Sequence, residues 1–444
     1  MSTHPVIEYL ASSHRSTELW QINTDKPFFK LLSDISAAEV VSGTLQYKPI
    51  KKLTVDGCDY KLKDPNFSYA ILKLSTLSGF GAGNILKFDD TVRKAREITA
   101  DRLQDPFLNN YRLNESVSAL LPKHDITCKL HKLAIYQPGG HFLKHRDTNH
   151  APNHLASLIV CLPIPFSGGS LQVDTCEGVK SIDLNTENVT YAAFFTDSPH
   201  EVMPVQSGTR MCLQYDVYAE PVQKSVSCTH KSGERSNNSF EDEEFSDEED
   251  YYEDCGWALD NYPPQAVAYS ANLAKVEALQ QQVQAIIQDG PLAFLCRQLY
   301  TSRTVDRTLL KGVDAVVYDA MTAVATVKMC AILIQQSGDD WWAQPFNAKD
   351  DMIPAPVLYL GAHEGNCKRT ISETPYIEYT GNEPQDAESQ YCAYAMVMQY
   401  DPSRTAIRQH FAELTLAELR SLPPTSIQPS GGIDYQQAKT RFET

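Results

Sequence analysis

Two histidines and an aspartate lie at spacings that would let them share one metal ion. His145-Arg146-Asp147 ends the extended run HFLKHRD, and His200 follows 53 residues after Asp147, just past the apolar run YAAFF. Side chains alternate across a strand, so His145 and Asp147 belong to the same face. Two imidazoles and a carboxylate occupy one face of an octahedral ion and leave its other positions open, the arrangement of mononuclear ferrous sites. Ten residues beyond His200, Arg210 opens the run TRMCLQYDVY. A guanidinium beside such an ion would hold a dicarboxylate in a bidentate pair. Tyr136, nine residues before His145, carries a hydroxyl able to donate to the same carboxylate. Singly, each has an ordinary reading: a strand histidine, a turn-capping aspartate, a loop histidine before Pro204, a surface arginine. The combination is the informative feature.

The elements that must position these residues read as strands. KLHKLAIYQ, HFLKHRD, LASLIVCLPI, GSLQVDT, GVKSIDL, VTYAAFF and TRMCLQYDVY alternate with Gly, Pro and Asn turns between residues 127 and 218. Seven or eight strands at a spacing of about 8–12 residues predict a β-sandwich or barrel rather than βαβ units. Upstream, FDDTVRKAREITADRLQ at 88–104 has an acidic first turn and basic residues later, which predicts a helix. Downstream, VEALQQQVQAIIQ and GVDAVVYDAMTAVATVKMCAILIQQ predict helices, APVLYLGA and QYCAYAMVMQY strands, and LTLAELRSL a short helix. Residues 234–254, ERSNNSFEDEEFSDEEDYYED, are dense in like charge and predict a solvated linker, with Ser246 in surroundings that suit a kinase. The chain divides into a helical and irregular region (1–120), a strand-built domain with the candidate residues (121–222), an acidic linker (223–258) and an α+β region (259–444).

Composition narrows the functional classes. A chain of 444 residues has room for two or three domains, and 42% hydrophobic with 21% charged residues is ordinary for a soluble globular protein. The 39 basic and 56 acidic residues leave a net charge of −17, which disfavours sequence-independent binding to nucleic acid. No run approaches the roughly 20 apolar residues of a membrane span, and the first residues have no basic segment leading into an apolar one, so no secretory signal is expected. The 11 cysteines include no CxxC pair, which points to reduced thiols in the cytoplasm or nucleus rather than a disulfide framework or thiolate zinc site. KHRDTNHAPN imitates a kinase catalytic loop, but Pro152 stands where Asn is required. Gly79–Gly83 reads as a flexible loop, Trp341-Trp342 as core or interface, and Asp197 as a turn residue. His141, His150 and His154 crowd the HxD, with His141 the best placed to face a site.

Three strings together carry a resemblance: LAIYQPGGHFLKHRDT, LASLIVCLPIPFSGGSLQV and YAAFFTDSPHEVMPVQSGTRMCLQYDVY. Over residues 132–218 the chain resembles the catalytic domain of prolyl 4-hydroxylase-type 2-oxoglutarate/Fe(II) dioxygenases. The resemblance implies an α+β chain: a double-stranded β-helix (jelly-roll) core with helical N-terminal support and a separate C-terminal α+β region. It implies Fe(II) on His145, Asp147 and His200, and the far carboxylate of 2-oxoglutarate on Arg210, Tyr136 and Ser157. The activity implied is hydroxylation with O2, aided by ascorbate and releasing succinate and CO2, on a prolyl residue of a protein or peptide. Arg210 departs from the collagen-type enzymes, which use Lys, and Ser170 stands where an acidic residue often follows the Gly168-Gly169 pair. Residues 88–104 and EYTGNE with its following strand also resemble a set of eukaryotic proteins that add a C-terminal region to this domain. Two alternatives stay open: another residue or a small molecule as substrate, or a non-catalytic acidic scaffold for a basic partner. A vestigial site would have no reason to keep all four residue types.

Overall fold

In the computed structural model, alternation of β-branched and aromatic residues builds two facing sheets between His124 and Pro221. Described are residues 17–21, 35, 37–45, 50–82, 85–107, 111–121, 124–184, 188–221, 275–284, 292–301, 305–337, 340–345, 357–359, 379–380 and 391–400. One sheet runs Val40–Thr44, Thr190–Phe195, His154–Cys161, Arg210–Pro221, His124–Tyr136, Arg96–Thr99, Thr76–Leu77. The facing sheet runs Gly178–Ile182, Leu171–Thr175, His200–Val202, His141–His145, Arg93–Lys94. Apart from the hairpin of Leu171–Thr175 and Gly178–Ile182, the strands of these two sheets from His124 onward alternate between them, which is the winding of a double-stranded β-helix.

The Arg210–Pro221 strand shows how period-2 patterning assigns faces. Met211, Leu213, Tyr215 and Val217 point outward into a core shared with the helices Phe67–Leu74 and Tyr111–Val117. Cys212 points inward, with Tyr136, Phe142, Cys161, Val173 and Phe194, into the core between the sheets. Arg210, Gln214 and Asp216 share the parity of Cys212 and so the inner face.

Three predicted elements differ. Residues 88–104 form short strands with a single 3-10 turn at Ala100–Arg102 instead of an α-helix: Arg93–Lys94 pairs with the sheet of His145, and Arg96–Thr99 pairs with Lys132–Ile135 of the opposite sheet. Val92 and Ala95 enter the inner core while Ile98 enters the outer one. A segment that must hydrogen-bond to both sheets within a few residues cannot coil, whatever its charge pattern favours. The helix expected to run through residue 336 stops at Thr322, and Ala325–Ser337 is a strand. Val324, Thr326, Val327, Ile332 and Ile334 suit a pleated surface better than a helix. Phe80–Ala82, expected in a flexible loop, pairs with Ile85–Lys87 and Tyr379–Thr380, and Phe80 is buried.

The helix predicted at VEALQQQVQ is present at 275–284, and the strands predicted near 357 and 393 are Val357–Tyr359 and Ala393–Tyr400. A closed barrel links Thr17–Gln21, Asp340–Pro345, Ala325–Ser337, Ala393–Tyr400, Leu292–Leu295 and Val357–Tyr359 in that order. The helix Gly312–Thr322 packs its Val313, Val317, Ala320 and Met321 into this unit's core. The C-terminal unit is therefore not drawn from the C-terminal sequence alone, because an N-terminal strand completes its barrel. Trp341-Trp342 lies on one of its strands. The acidic run with Ser246 and the helix expected near residue 415 lie outside the described residues.

The turn into the Arg210 strand depends on Gly208, at φ +73°, where a Cβ would lie 2.3 Å from the Pro165 carbonyl oxygen and 2.7 Å from Phe166 Cα. Gly208→Ala is therefore expected to destabilise the fold by about 2 kcal/mol or more, through a disfavoured backbone and a clash with main chain. Chemical denaturation against the unsubstituted protein measures the loss.

Candidate functional site

The inner face converges on His145, Asp147 and His200, all buried, with one ligand atom from each lying within 4.8 Å of the others. His145 ends its strand opposite His200 in the neighbouring one, and Asp147 follows just beyond, its N–H bonded to the Thr196 carbonyl at 3.1 Å. His145 Nδ1 lies 2.8 Å from the Leu143 carbonyl, and His200 Nδ1 lies 3.0 Å from that of Ser198. A carbonyl can only accept, so in each ring Nδ1 carries a hydrogen and Nε2 is the nitrogen left to face the centre. His200 Nε2 is 3.7 Å from Asp147 Oδ1, while Ser157 Oγ donates to Oδ2 at 2.5 Å. Burial, and then the neighbouring His200, hold His145 well below the usual imidazole range, so it is neutral and competent to bind a cation. Phe142 stacks on His145 and Phe194 flanks His200, with centroid separations of 3.5 and 4.4 Å.

Arg210 lies on the same inner face and is 1% exposed. Among the described residues, nothing accepts a hydrogen bond from its Nε or Nη2. An unsatisfied buried guanidinium is costly, so the position fits an anionic ligand that supplies the missing acceptors. Tyr136 stands opposite Arg210 in the adjacent strand, its ring centroid 5.3 Å from the guanidinium carbon. A Cβ at Gly169, at φ +67°, would fall 3.1 Å from Arg210 Cδ, which explains why the Gly168-Gly169 turn must be small.

Ser157 does not stand where the resemblance implied. It is paired with Asp216, six residues and roughly 20 Å of strand from Arg210, and its hydroxyl is committed to Asp147. It therefore orients the Asp147 carboxylate rather than closing with Arg210 on one carboxylate group. His141 bonds to the Gly139 and Thr91 carbonyls outside the convergent set. His150 and His154 join a neighbouring cluster around Asp216, with His150 Nδ1 at 2.7 Å and His154 Nε2 at 3.6 Å from its carboxylate. His131 completes it, Nδ1 at 3.9 Å.

Sequence reasoning missed a second inward charge pair. Lys132 Nζ meets Glu97 at 3.0 Å, and Ser78 donates to the same carboxylate. Burial first, then the Arg93 charge, push the Lys132 ammonium down to about 8. The available signal was parity, since Lys132 shares the face of Ala134 and Tyr136. Arg93 crosses the Phe142 ring at 4.4 Å and donates to the Gly79 carbonyl at 2.6 Å.

Comparison with known proteins adds the following. Residues 131–215 match the family model described as the 2OG-Fe(II) oxygenase superfamily. No curated protein matches the chain. A Pseudomonas putida prolyl-4-hydroxylase structure is similar at 14% identity, covering 44% of this chain and 99% of that one, with a TM-score of 0.29. A viral collagen prolyl hydroxylase from Paramecium bursaria Chlorella virus-1 is similar at 18% identity, covering 29% and 81%, with a TM-score of 0.23. Likenesses this low have no bearing on function.

The Asp216 cluster makes stability pH-dependent. Burial outweighs the attraction of Asp216 and holds His154 down to about 4. The unfolded chain protonates this imidazole near its ordinary pKa, so stability is full above about pH 6.5 and lost as pH falls toward 4. The loss is about 3 kcal/mol for a shift of this size. His154→Met is expected to flatten that acid limb in denaturant titrations across this range, and an unchanged limb would assign the dependence elsewhere.

Proposed function

We propose that this protein is an Fe(II)- and 2-oxoglutarate-dependent dioxygenase that hydroxylates a prolyl residue of a protein, a reading supported by the match of residues 131–215 to the 2OG-Fe(II) oxygenase superfamily. One observation carries the reading. A buried His-Asp-His set with both Nδ1 atoms already committed shares an inner face with a buried guanidinium whose Nε and Nη2 lack acceptors among the described residues. The donor set fits ferrous iron, and the guanidinium fits the far carboxylate of a keto-diacid. The prolyl substrate class follows from the resemblance of the strings around Tyr136, His145 and His200.

When bound, iron and 2-oxoglutarate supply O2 activation, with decarboxylation to succinate and CO2 and transfer of one oxygen atom to a substrate C–H bond. The chain's residues set the conditions for it. His145 and His200 present their Nε2 atoms, with both Nδ1 atoms held by backbone carbonyls. Ser157 holds one oxygen of Asp147 so that the other faces the ion. Arg210 holds and orients the cosubstrate, with Tyr136 beside it. Phe142 and Phe194 exclude water from the two imidazoles. Ascorbate, as a reductant of the iron, belongs to the same reading.

Succinate release from purified protein given Fe(II), ascorbate, 2-oxoglutarate and peptide pools tests the proposal, with mass spectrometry locating the added oxygen. Asp147→Ala is expected to abolish turnover with the fold intact, and undiminished turnover would remove Asp147 as a ligand. Arg210→Ala is expected to raise the 2-oxoglutarate requirement by about 2 to 3 kcal/mol, roughly 30- to 150-fold, with far less effect on the iron requirement. Oxygen added only at non-prolyl residues would replace the prolyl part of the proposal.

A further inference from the structure

The His-Asp-His set depends on two short loops, and both are gripped by the C-terminal unit. Asp147 sits just past its strand, and the turn Thr196–Pro199 leads into His200. The loops bond to each other through Asp147 N–H to Thr196 and through Arg146 Nε to the Asp197 carbonyl at 2.7 Å. From the C-terminal unit, Tyr391, 3% exposed, donates its hydroxyl to the backbone carbonyl of Asp147 at 2.9 Å. Lys311, 2% exposed, donates Nζ to the Asp197 carboxylate and to the Leu299 carbonyl, while the Leu299 N–H donates to the other Asp197 oxygen at 2.7 Å. The 297–300 segment is itself held by Asp314, which accepts from the Arg297 and Gln298 N–H groups at 2.8 and 2.9 Å and from the Tyr300 hydroxyl at 2.9 Å.

A buried ion pair is a weak source of net stability, because two charges must be desolvated to form it. Its directional bonds do fix geometry, and a metal site loses affinity when the groups holding its ligands slacken. Resting on the iron-site reading above, we propose that the C-terminal unit is a positioning element of the metal centre. Tyr391 sets the orientation of the Asp147 peptide, and the Lys311–Asp197 pair sets the turn that delivers His200. The barrel thus acts on the centre without contributing a ligand to it.

The test uses the full chain and Mn(II) as a probe of the ferrous site, with affinity measured by paramagnetic resonance and His145→Ala defining the specific signal. Tyr391→Phe removes one hydrogen bond and no volume, and is expected to weaken Mn(II) binding roughly fivefold. Met321→Ala opens a cavity in the C-terminal core away from the bridge, and is expected to lower the melting temperature more while leaving Mn(II) affinity unchanged. Unchanged affinity in Tyr391→Phe, or an equal loss in Met321→Ala, would overturn the positioning role while leaving the metal-site reading standing. A wild-type protein with no His145-dependent Mn(II) binding would bring down both.

Discussion

Charge buried between two apolar sheets is the constraint to which the rest of the molecule answers. The inner face holds Asp147, Arg210 and Lys132, all buried, with Lys132 paired to the half-buried Glu97. Lys132 and Glu97 compensate one another, while Asp147 takes a hydrogen bond from Ser157. The pocket gathers a carboxylate with two imidazole Nε2 atoms, and a guanidinium whose Nε and Nη2 find no acceptor among the described residues. The first calls for a cation and the second for an anion. In the proposed function, a ferrous ion and a keto-diacid answer both together.

The two histidines illustrate how little chemistry need be added once backbone geometry is right. In each, the carbonyl two residues earlier accepts from Nδ1, so the tautomer is chosen by main chain rather than by another side chain. Asp147 is oriented in three ways: its N–H on Thr196, its carboxylate on Ser157 and its carbonyl on Tyr391. The last of these comes from a residue 244 positions away, so the ligand geometry depends on both halves of the chain.

Much of the fold around the site was legible because strands with one face toward a core alternate in sequence. HFLKHRD, YAAFF and TRMCLQYDVY each became the strand expected, and His145, Asp147 and His200 converge. Residues 88–104 were misread because their acidic start and basic finish satisfy a helix locally, while the unpaired edges of two sheets offered stronger backbone bonding. The helix carried too far past Thr322 reflects an apolar run that is ambiguous between helix and buried strand until its β-branched content is weighed. Ser157 was placed with Arg210 by the family resemblance, but register, which sequence does not encode locally, set them roughly 20 Å of strand apart.

The sequence by itself determined the residue types and their parity: which side chains can ligate, which can bind an anion, and which face of each strand they occupy. Those follow from chemistry and from a backbone period that needs no partner. Only the tertiary structure decided that Ser157 serves Asp147, that Lys132 pairs with Glu97, and that Tyr391 and Lys311 clamp the ligand loops. Each of those contacts joins segments whose nearness depends on strand register and on a barrel completed from both ends of the chain, and no local pattern carries that information.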